Sequence, residues 1–332
     1  MKPLIKKLTE AYGPSGSEHV IRELVREEIR GLPDYITVDP LGNLIAVVKK
    51  KARSGKRVML AAHLDEVGFI VTHIDRRGFA RFQNFGGVKA LACVGSRVRF
   101  ANGQLGVIGV DTRRDDVHKI PALSEMYIDV GASSAADCPV SVADAAGWVR
   151  PLEEIGGRLI GKSLDDRIGV AILIETLRAL KRTPHEVAFV FTVQEEVGVR
   201  GAGPAAFGLE ADVMLAVDVT GVGDTPHGPR MDVSLGGGPA IKVRDAGMIA
   251  DPRVRRLLRQ RGDEAGLTTQ WEVLEGGSTD ARAAQVAGAG VPAGCVSVPT
   301  RYIHTPSEMV DYGDVQDCVA LLLNFLQKPI EL

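Results

Sequence analysis

The sequence predicts an α/β fold in which a central, mostly parallel or mixed sheet is flanked by helices and carries a small inserted β-barrel-like domain. Apolar runs of strand length alternate with segments of helical period up to residue 68 and again after residue 156. Between them, residues 69–156 contain short strand-like runs separated by glycine and polar turns. A length of 332 residues suits one large domain plus a smaller one. We therefore predict a discontinuous α/β domain at 1–68 and 157–332, with an insert at 69–156.

The first part of the chain begins with two helical patterns and then turns to strands. Between the helices, residues 12–18 break the chain, and Ser15 with Glu18 has the spacing of a capping box. Residues 35–39 and 43–48 are predicted to pair as strands around a turn at 40–42. The run 57–62 predicts a buried strand that leads directly into His63.

The insert is predicted because the sequence changes from alternating helices and strands to short strand-like runs. Strand-like runs at 68–74, 94–100, 106–110 and 126–130 suggest a small barrel or sandwich. Its isolated histidines, His73 and His118, are interpreted as solvated or packed side chains rather than ligands.

After residue 159 the alternation of helices and strands resumes. Strands are predicted at 187–193, 213–219, 240–243, 270–274 and 293–298, and helices at 168–180, 204–207, 252–261, 279–286 and 315–325. Repeated strand–helix units favour a sheet covered on both faces, with ligands beyond the carboxyl ends of the strands.

Composition excludes several classes of partner. A hydrophobic content of 45% and a net charge of −2 indicate a soluble globular protein with no general attraction for nucleic acid or an anionic membrane. The apolar runs are too short to span a bilayer and the N-terminus lacks a signal-peptide pattern, so we expect a cytoplasmic protein. The four cysteines are scattered singly, without a C-x-x-C spacing, and Cys295 and Cys318 are expected to pack in the core.

The strongest indication of chemistry lies in residues 187–198. A strand-length apolar run there ends in two adjacent carboxylates, Glu195 and Glu196. Acids at the end of a buried strand are costly unless a metal ion or a proton neutralises them. Because neighbouring strand residues point to opposite sides, one of the two is expected to face the interior.

Four further metal-binding side chains stand where apolar runs end, namely His63, Asp165, Asp218 and His304. Each has a simple structural explanation when taken alone. His63 could pair with Asp65 to hold a strand end, and Asp165 could cap a helix. Asp218 could lie in an exposed turn and His304 in a loop. Their occurrence together with two glutamates instead indicates a metal site.

Two imidazoles and several carboxylates suit a pair of divalent ions bridged by one carboxylate, about 3.5 to 4 Å apart. Such a pair would lower the pKa of a bound water to about 7 and so supply a hydroxide nucleophile. A further carboxylate that binds no metal is then needed to take a proton and pass it to a leaving amine. We expect this extra acid in the Glu195–Glu196 pair.

The same residues lie in eight ordered motifs that resemble the co-catalytic aminopeptidases of metallopeptidase family forty-two, which include tetrahedral, glutamyl and deblocking aminopeptidases. The motifs are PSGSE at 14–18, DPLGN at 39–43, HLDEVGF at 63–69, KSLDDRIG at 162–169, VQEEVGVRGA at 193–202, VDVT at 217–220, GGSTDA at 276–281 and RYIHTPSEMVD at 301–311. The similarity covers nearly the whole chain and is weakest in the insert. It implies a zinc-aminopeptidase-like fold.

The resemblance also implies a role for each metal-binding residue. One ion would be held by His63, Asp165 and Asp218, and the other by Asp165, Glu196 and His304. Asp165 would therefore be the bridge, and a cis peptide bond is expected between Asp165 and Asp166.

For the remaining acids, the resemblance implies that Glu195 is the general base and acid and that Asp65 fixes the tautomer of the first histidine. The insert would correspond to a dimerisation domain, and dimers would assemble into a hollow tetrahedral dodecamer that admits short peptides. The loop at 276–281 could line the substrate cleft or only form a tight turn.

These observations predict a two-metal aminopeptidase that removes N-terminal residues from short peptides. Two alternatives stay open: a related two-metal hydrolase acting on N-acyl amino acids or dipeptides, and a non-catalytic assembly subunit stabilised by metal. Zinc and cobalt both suit the ligand set, and the sequence does not choose between them. The preferred N-terminal residue depends on loops that a sequence pattern does not place.

Overall fold

The computed structural model describes residues 1–49, 55–111 and 120–332. The helices are α1 (Lys2–Glu10), α2 (His19–Glu28), α3 (Leu164–Ala179), α4 (Ala202–Leu209), α5 (Pro252–Glu264), α6 (Asp280–Gln285) and α7 (Tyr312–Leu326). The strands are β1 (Tyr35–Val38), β2 (Leu44–Val48), β3 (Arg57–His63), β4 (Gly68–Ile74), β5 (Ala80–Phe85), β6 (Arg97–Phe100), β7 (Leu105–Val110), β8 (Met126–Asp129), β9 (Ala145–Trp148), β10 (Glu153–Ile155), β11 (Arg158–Gly161), β12 (Glu186–Thr192), β13 (Val213–Thr220), β14 (Ala240–Arg244), β15 (Gln270–Val273), β16 (Ala293–Arg301) and β17 (Glu308–Asp311).

The larger of two sheets is mixed and has eleven strands. Nine of them follow the order β1-β2-β12-β3-β13-β16-β17-β11-β10, while β14 pairs with β16 and β15 with β14. The central strands β12, β3, β13 and β16 are mutually parallel, and their carboxyl ends therefore meet at one edge. His63, at the end of β3, lies opposite Thr192 at the end of β12, and Asp218 on β13 lies opposite Ser297 on β16. This register brings distant parts of the sequence together at one place.

Helices cover both faces of this sheet, which confirms the predicted fold class. One face packs under α1, α2, α3, α5 and α7, whose apolar side chains are buried with those of the strands. The opposite face packs under the shorter α4 and α6. Cys318 lies in the first of these cores and Cys295 in the second, so both pack as expected from the sequence.

The second sheet is a closed barrel of six strands in the order β4-β5-β8-β7-β6-β9, which confirms the barrel expected within the insert. Its interior holds the aromatic side chains Phe69, Phe82 and Trp148, whose rings meet edge to face. His73 is exposed on β4, whereas His118 lies outside the described residues. The division of the chain at 68/69 and 156/157 stays a prediction. Within the predicted insert, β10 pairs with β11 of the larger sheet.

The predicted capping box does not form. Ser15 Oγ donates to Asp65 Oδ2 at 2.7 Å instead of capping α2. Glu18 Oε1 accepts hydrogen bonds from the backbone N–H groups of Gly16 and Gln194, at 2.7 and 3.1 Å. The local pattern fails because both side chains are buried and have distant partners, which a spacing rule does not take into account.

No helix in the described part of the chain is long and apolar enough to cross a membrane.

Candidate metal centre

His63 ends β3 and is almost fully buried. Its Nδ1 lies 3.0 Å from the backbone carbonyl oxygen of Asp65 and therefore donates to it. This leaves Nε2 directed to the centre of the site, 3.1 Å from Asp165 Oδ1. The Asp65 carboxylate is slightly farther away, with Oδ1 at 3.5 Å from Nδ1. The imidazole is thus oriented by a hydrogen bond at Nδ1 and offers Nε2 as a ligand atom.

Asp165 lies at the start of α3, and the bond to Asp166 is a cis peptide, as expected from the resemblance. Its two carboxylate oxygens face different imidazoles. Oδ1 lies 3.1 Å from Nε2 of His63, and Oδ2 lies 3.3 Å from Nε2 of His304. This is the arrangement expected of a carboxylate that bridges two ions.

Glu196 and His304 form the other side of the site. His304 Nε2 lies 3.2 Å from Glu196 Oε2 as well as facing Asp165. The second oxygen of Glu196, Oε1, is buried without a hydrogen-bond partner among the described residues. A buried carboxylate oxygen without a donor is costly, and a cation would satisfy it.

Asp218 on β13 and Glu195, which follows β12, both lie near His63. Asp218 Oδ1 lies 4.0 Å from His63 Nε2 and accepts a hydrogen bond from the backbone N–H of Val219. Glu195 Oε2 lies 3.9 Å from the same His63 Nε2. The side chains of Glu195 and Glu196 are 11% and 5% exposed, so both face inward.

The expectation that the two glutamates point to opposite sides is therefore wrong, although one was correctly expected to face the interior. The strand β12 ends at Thr192, and the two glutamates follow in a turn whose Gln194 has a φ of 57°. Strand alternation does not apply beyond the last strand residue. Asp65 holds this turn, because its carboxylate accepts from the backbone N–H groups of Glu195 and Glu196 at 3.0 and 3.1 Å.

Hydrogen bonds to carboxylates raise the pKa of both histidines. Burial would lower the pKa of His63, but hydrogen bonds to Asp165 and Asp65 raise it well above its usual range. Burial would also lower the pKa of His304, but hydrogen bonds to Asp165 and Glu196 raise it to about 11. Burial would raise the pKa of Asp165, but both imidazoles hold it far below its usual range.

The other acids are pushed towards their protonated forms. Burial is the main cause that raises the pKa of Glu195, Glu196 and Asp218. Neighbouring negative charge adds to this effect, from Asp218 on Glu195 and from Asp165 on Glu196. A cluster that holds protons in this way releases them when it binds divalent cations.

The donor set fits metal ions. Ligand atoms of His63, Asp165 and Glu196 lie within 4.8 Å of one another, and so do those of His63, Asp166 and Asp218. Imidazole nitrogen and carboxylate oxygen are the donors that zinc and related ions take in hydrolases. The unpartnered oxygen of Glu196 is satisfied in the same way. The structure therefore brings all the predicted ligands into one place, and the donor chemistry suits divalent metals.

Sequence reasoning missed two carboxylates that support the site. Glu308 Oε2 accepts from the backbone N–H of Asp165 at 2.9 Å, and Oε1 from that of His304 at 2.8 Å. Asp166 Oδ2 accepts from the backbone N–H of His63 at 3.1 Å. Both acids stood inside the motifs at 162–169 and 301–311, and that position was the only signal that could have marked them.

The site opens into a cleft of about 430 Å³. The loop after β15 contributes Gly277 and Ser278 to its lining, so the glycine-rich segment does border the cleft. Leu274 and Ile303 add apolar surface, and Arg282 adds a positive charge. A mixed sheet that gathers imidazoles and carboxylates beside an open cleft is typical of divalent-metal hydrolases.

Comparison with known proteins identifies the family. The model of the family described as M42 glutamyl aminopeptidase matches residues 42–321. The chain is 45% identical to a putative aminopeptidase of Acetivibrio thermocellus, over 97% of each chain. It is 33% identical to the lysyl aminopeptidase of Pyrococcus furiosus, over 99% of this chain and 98% of that one.

Solved structures agree with this identification. An aminopeptidase from the archaeon Desulfurococcus kamchatkensis superposes with a TM-score of 0.94 at 37% identity, covering 98% of this chain and 94% of that one. The TET1 peptidase of Pyrococcus horikoshii, described as assembling into a tetrahedron or a large octahedral shell, gives a TM-score of 0.89 at 30% identity, over 98% and 99% of the two chains. The chain belongs to the M42 peptidase family and is an aminopeptidase.

Proposed function

We propose that this aminopeptidase uses two divalent ions to remove N-terminal residues from peptides, with Glu195 as its general base and acid. The observation that carries the proposal is the position of Asp165 between His63 and His304, with one carboxylate oxygen near each imidazole. A carboxylate placed in this way can bind two ions at once.

The proposed ligands divide into two sets that share Asp165. His63, Asp165 and Asp218 would hold one ion, and Asp165, Glu196 and His304 would hold the other. Zinc or cobalt suits both sets. When bound, such ions polarise the scissile carbonyl and lower the pKa of a water to about 7.

Glu195 is suited to proton transfer because its side chain is close to the ligands but forms no hydrogen bond with a described residue. Its carboxyl oxygen lies 3.9 Å from Nε2 of His63, and burial raises its pKa. A base with a raised pKa takes a proton from the attacking water and returns it to the leaving amine near neutral pH. Asp65 positions Glu195 by accepting from its backbone N–H.

The carboxylates that line the cleft support recognition of a free α-amino group. Four of the cleft-lining side chains are carboxylates: Asp165, Glu195, Glu196 and Asp218. An ammonium group is attracted to such a cluster, whereas an acylated N-terminus is not. The family model is described as glutamyl and one relative is named lysyl, so these names leave the charge of the preferred first residue open.

We also propose that copies of the chain assemble through the barrel domain, at 69–156, into dimers and then into a tetrahedral dodecamer. The similarity to a peptidase described as forming a tetrahedron or an octahedral shell supports self-assembly. Leu91 and Leu105 are exposed on the barrel domain. Light scattering that compares the purified wild-type protein with a variant in which both are changed to Asp tests this assignment.

The catalytic proposal is tested by separating metal binding from turnover. Glu195→Gln is expected to keep two ions per subunit by elemental analysis while kcat for leucyl-p-nitroanilide falls by about 10² to 10⁴. Glu153→Gln, at an exposed acid on β10, serves as the matched control and keeps wild-type activity. A fully active Glu195→Gln enzyme would remove Glu195 from its proposed role.

A substrate comparison separates the aminopeptidase from a deacylase. Leucyl-p-nitroanilide should be cleaved and its N-acetyl derivative should not. Release of acetate from N-acetyl-leucine, without release of p-nitroaniline from leucyl-p-nitroanilide, would instead assign the site to N-acyl amino acids.

A further inference from the structure

Among the described residues that line the cleft, Arg282 is the one side chain, apart from the two histidines, that carries positive charge. It lies in α6 and is exposed, and its guanidinium forms no hydrogen bond or ion pair with any described residue. Arg253 and Arg301, by contrast, form ion pairs with Asp251 and Asp224. Arg282 therefore presents a free guanidinium to the space beside the metal centre.

The aliphatic part of the Arg282 side chain is packed against a neighbour, although its guanidinium has no partner among the described residues. A Cβ atom at Gly247 would lie 2.4 Å from Arg282 Cδ and 3.0 Å from its Nε, so the side chain packs closely over this glycine. The same Cβ would lie 2.5 Å from Ser278 Oγ, which also lines the cleft. Packing on Gly247 limits the rotamers of Arg282 and so reduces the entropy lost when a ligand is bound.

Asp245, an acid two residues before Gly247, has other partners. Asp245 Oδ1 accepts from the backbone N–H groups of Gly247 and Met248, each at 2.7 Å. Its Oδ2 faces the buried ammonium of Lys242 at 3.9 Å. The charge of Arg282 is thus not compensated within the loop that it contacts.

The cleft carries charge of both signs. Three of its four carboxylates are proposed metal ligands and the fourth, Glu195, is the proposed base, whereas Arg282 adds a positive charge. A substrate carboxylate would gain a charge-assisted, two-pronged contact with the guanidinium, whereas a lysine side chain would be repelled.

We propose that Arg282 binds a carboxylate of the substrate and thereby determines which peptides are preferred. This inference rests on the proposed aminopeptidase function. The carboxylate has two chemical sources: the side chain of an acidic first residue, and the C-terminus of a very short peptide.

The first arm of the test compares glutamyl-, glutaminyl-, leucyl- and lysyl-p-nitroanilide, which lack a C-terminal carboxylate. If the acidic side chain is the ligand, the wild-type enzyme favours glutamyl over glutaminyl substrate by about tenfold in kcat/KM, which corresponds to about 1.4 kcal/mol. Arg282→Gln abolishes this ratio, Arg282→Lys keeps part of it, and leucyl turnover stays within about twofold.

The second arm compares alanyl-alanine with alanyl-alanine amide. If the C-terminal carboxylate is the ligand, the free acid is preferred by the wild-type enzyme, and Arg282→Gln removes the preference. Arg256→Gln is the matched control, because this exposed arginine of α5 lies outside the cleft and has no described ion-pair partner. It leaves both ratios unchanged.

A response of either ratio to Arg282→Gln supports the inference and identifies the source of the carboxylate. It is overturned if both ratios are the same in the wild type and in Arg282→Gln. Failure of the wild type to cleave leucyl-p-nitroanilide would instead count against the aminopeptidase proposal itself, so the two failures are distinguishable.

Discussion

The carboxylate of Glu308 accepts a hydrogen bond from the backbone N–H of Asp165, 2.9 Å from its Oε2, and its other oxygen accepts from His304. Glu308 is the first residue of β17, whereas Asp165 lies in the first turn of α3, so this contact fixes two separate segments relative to each other. Burial raises the pKa of Glu308 to about 8. One side chain therefore supports the backbone of two proposed metal ligands.

Glu308→Gln is expected to weaken metal binding by about 10- to 100-fold, because the amide can accept only one of the two hydrogen bonds. The unpaired N–H should also lower the free energy of unfolding by about 1 to 3 kcal/mol. Metal affinity is measured by competition with a chelating dye. An exposed change, Glu153→Gln, should alter neither quantity, and an unchanged affinity in Glu308→Gln would contradict the supporting role.

Removal of divalent ions is expected to lower the melting temperature. Without cations, several buried carboxylates remain in contact with one another, and ligand binding to the folded state contributes about 2.7 kcal/mol at a concentration of 100 Kd. Thermal unfolding after chelation, followed by titration with zinc or cobalt, measures the effect. A melting temperature that does not respond to either treatment would show that the cluster binds no metal.

Asp65→Asn is expected to reduce kcat by about tenfold or more and to lower the free energy of unfolding by about 1 to 3 kcal/mol, because one buried N–H is left unpaired. The asparagine amide cannot accept from both Glu195 and Glu196, so the proposed base and one ligand lose a fixed backbone position. Steady-state kinetics and metal content are measured together. Wild-type kcat with both ions retained would refute the positioning role of Asp65.

Arg167→Met is expected to lower the free energy of unfolding by about 3 to 5 kcal/mol, because it leaves buried partners unpaired. Arg167 is fully buried and donates to the carbonyl oxygens of Leu8 and Leu64, each at 2.7 Å. Denaturant unfolding measures the loss. Arg178→Met, on the same helix, removes a partly exposed ion pair with Glu28 and should cost at most about 1 kcal/mol. Equal losses in the two variants would contradict this account.

Asp314 is expected to make stability fall as pH rises. Burial raises its pKa from 3.8 to about 6, and the charges of Asp311 and Asp317 add to this effect. The folded state therefore holds the proton more tightly than the unfolded chain. The contribution of this proton is complete below about pH 4 and is lost as pH rises through about 6.

Asp314→Asn removes this titration, so the variant should gain stability relative to the wild type between pH 4 and pH 7. Denaturant unfolding at several pH values gives the difference, in which titrations common to both proteins cancel. A difference that does not depend on pH would rule out the raised pKa.

The strands and helices were largely predictable because hydrophobic period and strand length report burial directly. The positions of β12 and β13 followed from their apolar runs, and the cis bond at Asp165 was implied by the resemblance to a known family. Two local rules failed, the capping box at Ser15 and the strand alternation at Glu195. In both cases buried tertiary hydrogen bonds, or the end of the strand, override the local pattern.

The sequence by itself determined the α/β class, the β-rich character of residues 69–156, and the residue types that could bind metal, because each depends on neighbours along the chain. Only the tertiary structure decided that Asp165 lies between two imidazoles, that Glu308 holds its backbone, and that the guanidinium of Arg282 reaches the cleft without a partner among the described residues. These relationships join residues more than a hundred positions apart or depend on loop packing. Strand register and side-chain packing create them, and a one-dimensional pattern contains neither.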